Sequence, residues 1–231
     1  MERSLGEKVF NVFNILLVSI IAFVCVYPMI YVIFSSFSEP HKLAQHSGIL
    51  LKPLGFSLEG YRLVLKNPDI KVGYLNTIFY VATGTALNIS LTTLSAYVLS
   101  RKAYWIDKLM FMVTFTMFFS GGIVPLYLTV RSLGLSGTRL VVIVPTAIST
   151  WNLIVMRTSF QGVPISLEEA AKIDGAKDFT ILMRIMIPVC GPIIAVMVLF
   201  YGVGHWNAWF NAMVYLRKEI YILCNCFCVK F

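Results

Sequence analysis

The chain has 231 residues, 58% of them hydrophobic and only 13% charged, and its mean hydropathy is +0.80. Soluble domains carry about 25% charged residues. A cytosolic enzyme or a nucleic-acid binder therefore does not fit, although 19 Lys and Arg against 11 Asp and Glu leave a net charge of +8. The charges sit in short islands between long uncharged runs, which is how a membrane protein distributes them.

The uncharged runs are Val9–Ser38, Val72–Ser100, Leu109–Val130, Leu140–Met156 and Ile185–Leu216. A helix needs ~20 mostly apolar residues to cross the hydrocarbon core, with ~17–25 tolerated. Lipid offers no partner to an open backbone. The expected fold is therefore all-α, a polytopic transmembrane helical bundle with about five spans, near 12–34, 75–99, 109–130, 140–156 and 185–204. Arg157 lengthens the short fourth span by snorkelling. Residues 1–8 form a polar lead-in. The first run exceeds the ~7–15 residues of a signal-peptide core and no small-residue cleavage site follows it, so it reads as an uncleaved span.

After the first run, Glu39–Lys71 is a long loop with Pro40, Pro53 and Pro68. Its stretch Leu58–Lys66 is amphipathic, with Leu58, Tyr61 and Leu65 on one helical face. Arg101–Lys108 and Arg131–Arg139 are short connections, the second with Gly134, Ser136 and Gly137 as turn residues. Gly121, Gly122 and Pro125 interrupt the third run, Pro145 the fourth, and Pro188, Gly191 and Pro192 the start of the fifth. Broken helices are frequent in transporters; plain kinking for packing is the alternative.

None of the spans holds Asp, Glu, Lys or Arg in its interior, which argues against an ion-coupled pump and against a membrane-embedded enzyme. His41, His46 and His205 are expected in loops or at an interface, and no metal, nucleophile or phosphate-binding pattern is present. Cys25, Cys190, Cys224, Cys226 and Cys228 do not form a disulfide framework. Basic residues divide nearly evenly between the two faces. The crowding of Arg101, Lys102 and Lys108 into one short connection favours a cytoplasmic N-terminus.

The most informative segment is the loop 158–184, TSFQGVPISLEEAAKIDGAKDFTILMR. Pro164 ends an extended approach. Ser166 stands three residues before Glu169, the spacing of a capping box, which predicts a helix from Leu167. Glu168 and Glu169 would fall in its first turn, where the helix dipole favours negative charge. Gly175 should end it, and a second short helix, Lys177–Ile185, should lead into the fifth span. The small residues Ala170, Ala171 and Gly175 would let another backbone approach closely. Docking into a partner's groove and a connector lying on the membrane surface both fit.

Glu169-Ala170-Ala171, three residues, Gly175, nine residues, then Ile185-Met186-Ile187-Pro188 resembles the EAA loop of ABC-importer membrane subunits, with Ile187 where Leu is usual. The form EEAAKIDGA, together with segments 118–135, 151–164 and 204–216, is similar to the carbohydrate branch of that family, of the maltose-transporter type, and to oligosaccharide permeases of Gram-positive bacteria. The likeness covers residues 11–216. It implies a transmembrane domain over 9–216 in a cell-membrane protein with a cytoplasmic N-terminus, working as half of a sugar or oligosaccharide pathway.

The resemblance further implies that the loop docks on an ATPase through Glu168, Glu169, Ala170, Ala171, Asp174 and Gly175, with Ile185 and Pro188 setting how the fifth span leaves it. The implied partners are a second permease subunit, a cytoplasmic ATPase dimer, an extracellular solute-binding protein and the lipid bilayer. The chain itself needs no cofactor or metal and hydrolyses nothing, since ATP and Mg would be bound by the ATPase.

For sugar contacts, aromatic faces and amides are the expected chemistry. Trp151, Asn152, Trp206 and Asn207 offer it, with His205, Trp209 and Asn211 beside them. The alternative for 205–211 is an interfacial aromatic belt, and that cluster fits the belt better. Beyond Leu216 the likeness stops, and residues 217–231 form an atypical tail, read as a truncated ending in which a sixth span is missing. The rival readings are a permease for a non-sugar solute and a non-transporting fragment.

Overall fold

The computed structural model describes residues 5–101, 103–119 and 121–216. The expectations for the tail 217–231, with Cys224, Cys226 and Cys228, lie outside the described residues. Among the described residues the named elements are all helical, and Ser38 and Phe56 make one isolated bridge. The chain divides into two compact units, one up to Pro68 and one from Asp69 onward.

The first unit begins with α1, Leu5–Ser36, whose apolar side chains from Val9 to Ile33 are largely exposed. Its Gly6–Ser36 portion is long and apolar enough by itself to cross a membrane. The loop that follows folds back locally. Ser38 Oγ donates to the Phe34 carbonyl at 2.6 Å and accepts from the Leu54 N–H at 3.0 Å. Phe37 stacks on Phe56 with centroids 6.0 Å apart. Two short helices are set on this loop, α2 (Pro40–Gln45) and α3 (Glu59–Lys66), the latter starting one residue after the expected Leu58, which is its cap position.

The second unit is organised on α4, Pro68–Ser100. Gly73, Thr77, Tyr80, Gly84, Asn88, Thr92 and Ala96 recur every three or four residues and are buried, whereas Leu75, Ile78, Leu87, Leu94 and Val98 are exposed. Much of the buried face is polar and the exposed face is hydrocarbon. That is the reverse of a helix on a soluble domain and the arrangement lipid requires.

The remaining expected spans are broken helices, one of the two readings their internal prolines and glycines left open. The third divides into α5 (Tyr104–Phe118) and α6 (Ile123–Ser132) around Gly121 and Gly122. The fourth divides at Pro145 into α7 (Leu140–Ile143), continued by a 3-10 turn Val144–Thr146, and α8 (Thr150–Gln161), with a bend of 51°. The loop 158–184 carries α9 (Ile165–Ile173) and α10 (Asp178–Ile181). Instead of one helix to Ile185, the chain then opens into a π turn, Leu182–Met186, before α11 (Ile187–Val189). Pro188 has no N–H to give the Arg184 carbonyl, which accounts for the opening. An 85° bend at Cys190 leads into α12 (Gly191–Trp206), and α13 (Trp209–Tyr215) closes the described chain.

Two apolar cores pack against α4. One gathers Tyr97, Ile106, Met156, Phe160, Ile181, Leu182 and Met197; the other gathers Tyr80, Val130, Val141, Ile143, Ala212 and Tyr215. Between them a polar link crosses the bundle. The Tyr201 hydroxyl of α12 shares a 2.7 Å hydrogen bond with Thr92 Oγ1 and accepts the Ser149 N–H at 3.2 Å. Interhelical hydrogen bonds in membranes contribute about 0.6–2 kcal/mol each. Tyr201→Phe should therefore lower the thermal midpoint of the detergent-solubilised protein, and Thr92→Val should add little in that background. Additive losses in the double variant would show that the pair does not act as a unit.

Candidate functional site

The loop 158–184 is shaped by its helix end. The Ala176 N–H donates to the Ala171 carbonyl at 2.9 Å and the Gly175 N–H to the Lys172 carbonyl at 3.0 Å. Those two bonds are the Schellman pattern, with Ala171 at C3 and Gly175 at C′. Gly175 has φ +78°, the left-handed region that favours glycine, and open space around it. The expected capping box does not form. The helix starts at Ile165, with Pro164 at the cap position and no side-chain cap. Pro164 sets an extended entry (φ −56°, ψ 128°), so Ser166 already has helical geometry and cannot serve as the cap.

The expected docking residues divide into two faces. Glu168 turns inward, paired with Arg101 and with Lys172 at 3.0 Å. Ala171 also turns inward, half-buried against the apolar core, and Ile185 joins it there. Glu169, Ala170, Asp174, Gly175 and Pro188 are exposed, with the apolar side chain of Ile173 standing 87% exposed among them. Burial pulls the Arg101 guanidinium below its usual pKa while the Asp178 carboxylate opposes the shift. Arginine stays charged regardless.

At the far end of α8 and α12 lies a cavity of about 400 Å³ lined by Asn88, Thr146, Ser149, Asn152, Phe200, Tyr201, Gly204, His205, Asn207, Ala208, Phe210 and Asn211. It brings Asn152, Asn207, Asn211 and His205 together. Trp151 and Trp206 do not line it: Trp151 is 59% exposed, and Trp206 is exposed beside Tyr74 with centroids 6.5 Å apart. His205 is buried between helices, with its Nε2 3.2 Å from Asn88 Nδ2. Asn88 Nδ2 also donates to the Thr146 carbonyl at 3.1 Å, and its Oδ1 is buried without a partner. Asn88, Tyr201 and Phe210 were missed. An amide in the middle of an uncharged span was the signal that could have found Asn88.

Two glycines separate backbone geometry from packing. A Cβ at Gly175 would meet nothing within 4 Å, whereas one at Gly84 would sit 2.5 Å from His205 Nε2. Gly175→Ala should cost about 1 kcal/mol through its backbone alone. Gly84→Ala should cost about 1–3 kcal/mol through overpacking and displace the His205 ring. Thermal unfolding of both variants checks this, and equal midpoints would refute it.

No protein-family model matches the chain. It is 42% identical over 199 residues to the polygalacturonan/rhamnogalacturonan transport system permease protein YtcP of Bacillus subtilis, covering 86% of this chain and 69% of that one. It is 38% identical to protein LplC of the same organism, over 95% and 74% of the two chains. It is 28% identical to the diacetylchitobiose uptake system permease NgcG of Streptomyces coelicolor, over 80% and 62%. Its fold superposes on a bacterial ABC transporter involved in the import of the acidic polysaccharide alginate with a TM-score of 0.94 and 32% identity, covering 100% of this chain and 82% of that one. These relatives favour carbohydrate over a non-sugar solute. The chain belongs to the carbohydrate ABC-importer permeases, membrane proteins that form the transmembrane subunits of sugar transporters.

Proposed function

We propose that this permease receives the ATPase on the exposed face of α9, formed by Glu169, Ala170, Ile173 and Asp174, and that Glu168 and Ala171 fasten the same helix to their own subunit. The observation that carries this reading is the division of one short helix into a face held by the chain and a face left uncovered. Small Ala170 and Gly175 admit a partner's backbone, and the uncovered Ile173 supplies apolar surface. The loop 158–184, and with it the N-terminus, is then cytoplasmic. The complex holds a second permease subunit, a pair of ATPases that bind ATP and Mg, and an external solute-binding protein. Residues 9–216 act as the membrane domain.

The cavity near His205 is the sugar-facing part of the pathway. The amide groups of Asn152, Asn207 and Asn211 suit the many hydroxyls of an oligosaccharide, and Phe200 and Phe210 offer faces to its rings. Since the names of two relatives specify polygalacturonan and alginate, a uronic-acid oligosaccharide is the first substrate to test.

Ala170→Arg, placed on the uncovered face, should reduce ATPase recovery in co-purification by about tenfold or more, a loss typical of a central interface position, while leaving membrane insertion unchanged. Undiminished recovery would refute the docking face. In proteoliposomes, a binding protein loaded with trigalacturonate should stimulate ATP hydrolysis more than one offered maltotriose. The opposite order would refute the substrate class.

A further inference from the structure

The last turn of α4 grips the inner loop on both sides of Gly175. Arg101, just past the helix end, pairs with Glu168 in α9. Tyr97, one turn earlier, donates its hydroxyl to the carbonyl of Asp178, 3.2 Å away at the start of α10. The two α4 residues also support each other, because Arg101 Cζ lies 4.1 Å over the Tyr97 ring. That ring meets Phe160 of α8 edge-on at 6.4 Å, and Arg157 of α8 donates Nε–H to the Leu99 carbonyl at 2.8 Å. Tyr97 is buried, and the Glu168 side chain is only 15% exposed, so water competes weakly for these contacts.

We infer that Tyr97 and Arg101 form a two-point clamp through which α4 takes up the displacement of the inner loop and carries it to the cavity wall at Asn88. They are positioning residues for energy coupling. The inference rests on the proposed seating of the ATPase on α9. Apolar packing of Ala171 and Ala176 holds the loop on either side of Gly175, and the ion pair before that glycine and the hydrogen bond after it add directional contacts to α4. From Tyr97 to Asn88 the helix is unbroken, a distance of about 14 Å at 1.5 Å per residue.

The clamp can be opened without exposing a lone charge. When Arg101 is removed, Glu168 keeps Lys172 at 3.0 Å. Tyr97→Phe retains the ring contacts and removes only the hydroxyl bond to Asp178. The test uses the full complex, with native cysteines replaced by serine and one cysteine introduced at the cavity by Asn211→Cys. A charged maleimide then reports cavity accessibility with and without ATP plus vanadate.

In the parent, the labelling rate should change by about fivefold or more with nucleotide, the lower range of allosteric coupling. Arg101→Ala and Tyr97→Phe should both keep stoichiometric ATPase and ATP hydrolysis yet hold labelling at its nucleotide-free rate. Arg101→Lys should restore part of the change, and Lys172→Ala should behave as the parent. A normal nucleotide response in Arg101→Ala and Tyr97→Phe, an equal defect in Lys172→Ala, a lost ATPase, or a parent that does not respond would each overturn the clamp. If Ala170→Arg keeps its ATPase, the seating itself fails and the clamp falls with it. If Ala170→Arg loses its ATPase while both clamp variants respond normally, the clamp alone fails.

Discussion

A helix that closes its own backbone needs no outside hydrogen-bond partner; α4 does so over 33 residues, although it is less apolar than a helix that crosses a membrane by itself, while the other apolar runs of its unit are broken. Pro68 stands at its first position, where a missing N–H costs nothing, and the next proline is Pro125. With its backbone closed, α4 can bury polar side chains instead of polar backbone. Thr77 returns its hydroxyl to the Gly73 carbonyl at 2.9 Å, while Asn88 and Thr92 reach other elements. Both apolar cores then pack on the same rod, one through Tyr80 and the other through Ala96, Tyr97 and Leu99. The broken helices around it can bend because α4 does not.

The helix end of the loop 158–184 explains a spacing that the motif only records. The last alanine of the EAA triplet and the glycine four residues later are C3 and C′ of one Schellman cap, so their separation follows from the geometry of that cap. Ala171 must be small because it packs against the core, and Gly175 needs its positive φ. The first glutamate, Glu168, belongs to the subunit's own ion network, whereas Glu169 looks outward. Adjacent identical residues therefore do different things, since one helical step of about 100° separates a held face from a free one.

Charge and apolar length are strong signals in a membrane chain, and the long apolar runs coincide with helices. Those signals were weaker where local and tertiary preferences compete. Ser166 has the spacing of a cap, yet Pro164 fixes the turn first and places it inside the helix. The prolines and glycines of three runs left breaks and plain kinks equally open, and they do not reveal how sharp each bend is. His205 was read with its aromatic neighbours as an edge residue. Its place is set by Gly84, over a hundred residues earlier in the chain, whose missing side chain admits the ring. The tryptophans Trp151 and Trp206 carry the right chemistry for sugar but lie outside the cavity wall, while the less conspicuous asparagines line it. Residue type alone does not report which way a helix faces.

The polar contacts at the end of α4 act beside the apolar packing of Ala171, Ile181 and Ile185, so they set one part of how strongly the loop and the cavity are linked. A charge-assisted hydrogen bond contributes about 1.5–3 kcal/mol and a neutral one about 0.5–1.5 kcal/mol. The Arg101–Glu168 pair and the Tyr97–Asp178 bond together thus fall near 2–4.5 kcal/mol on those values, about 30- to 2000-fold in an equilibrium constant. That range overlaps the upper part of the 1–3 kcal/mol usual for allosteric coupling, about 2–3 kcal/mol. Either contact alone would sit at or below its upper end, which is a physical reason for gripping the loop twice.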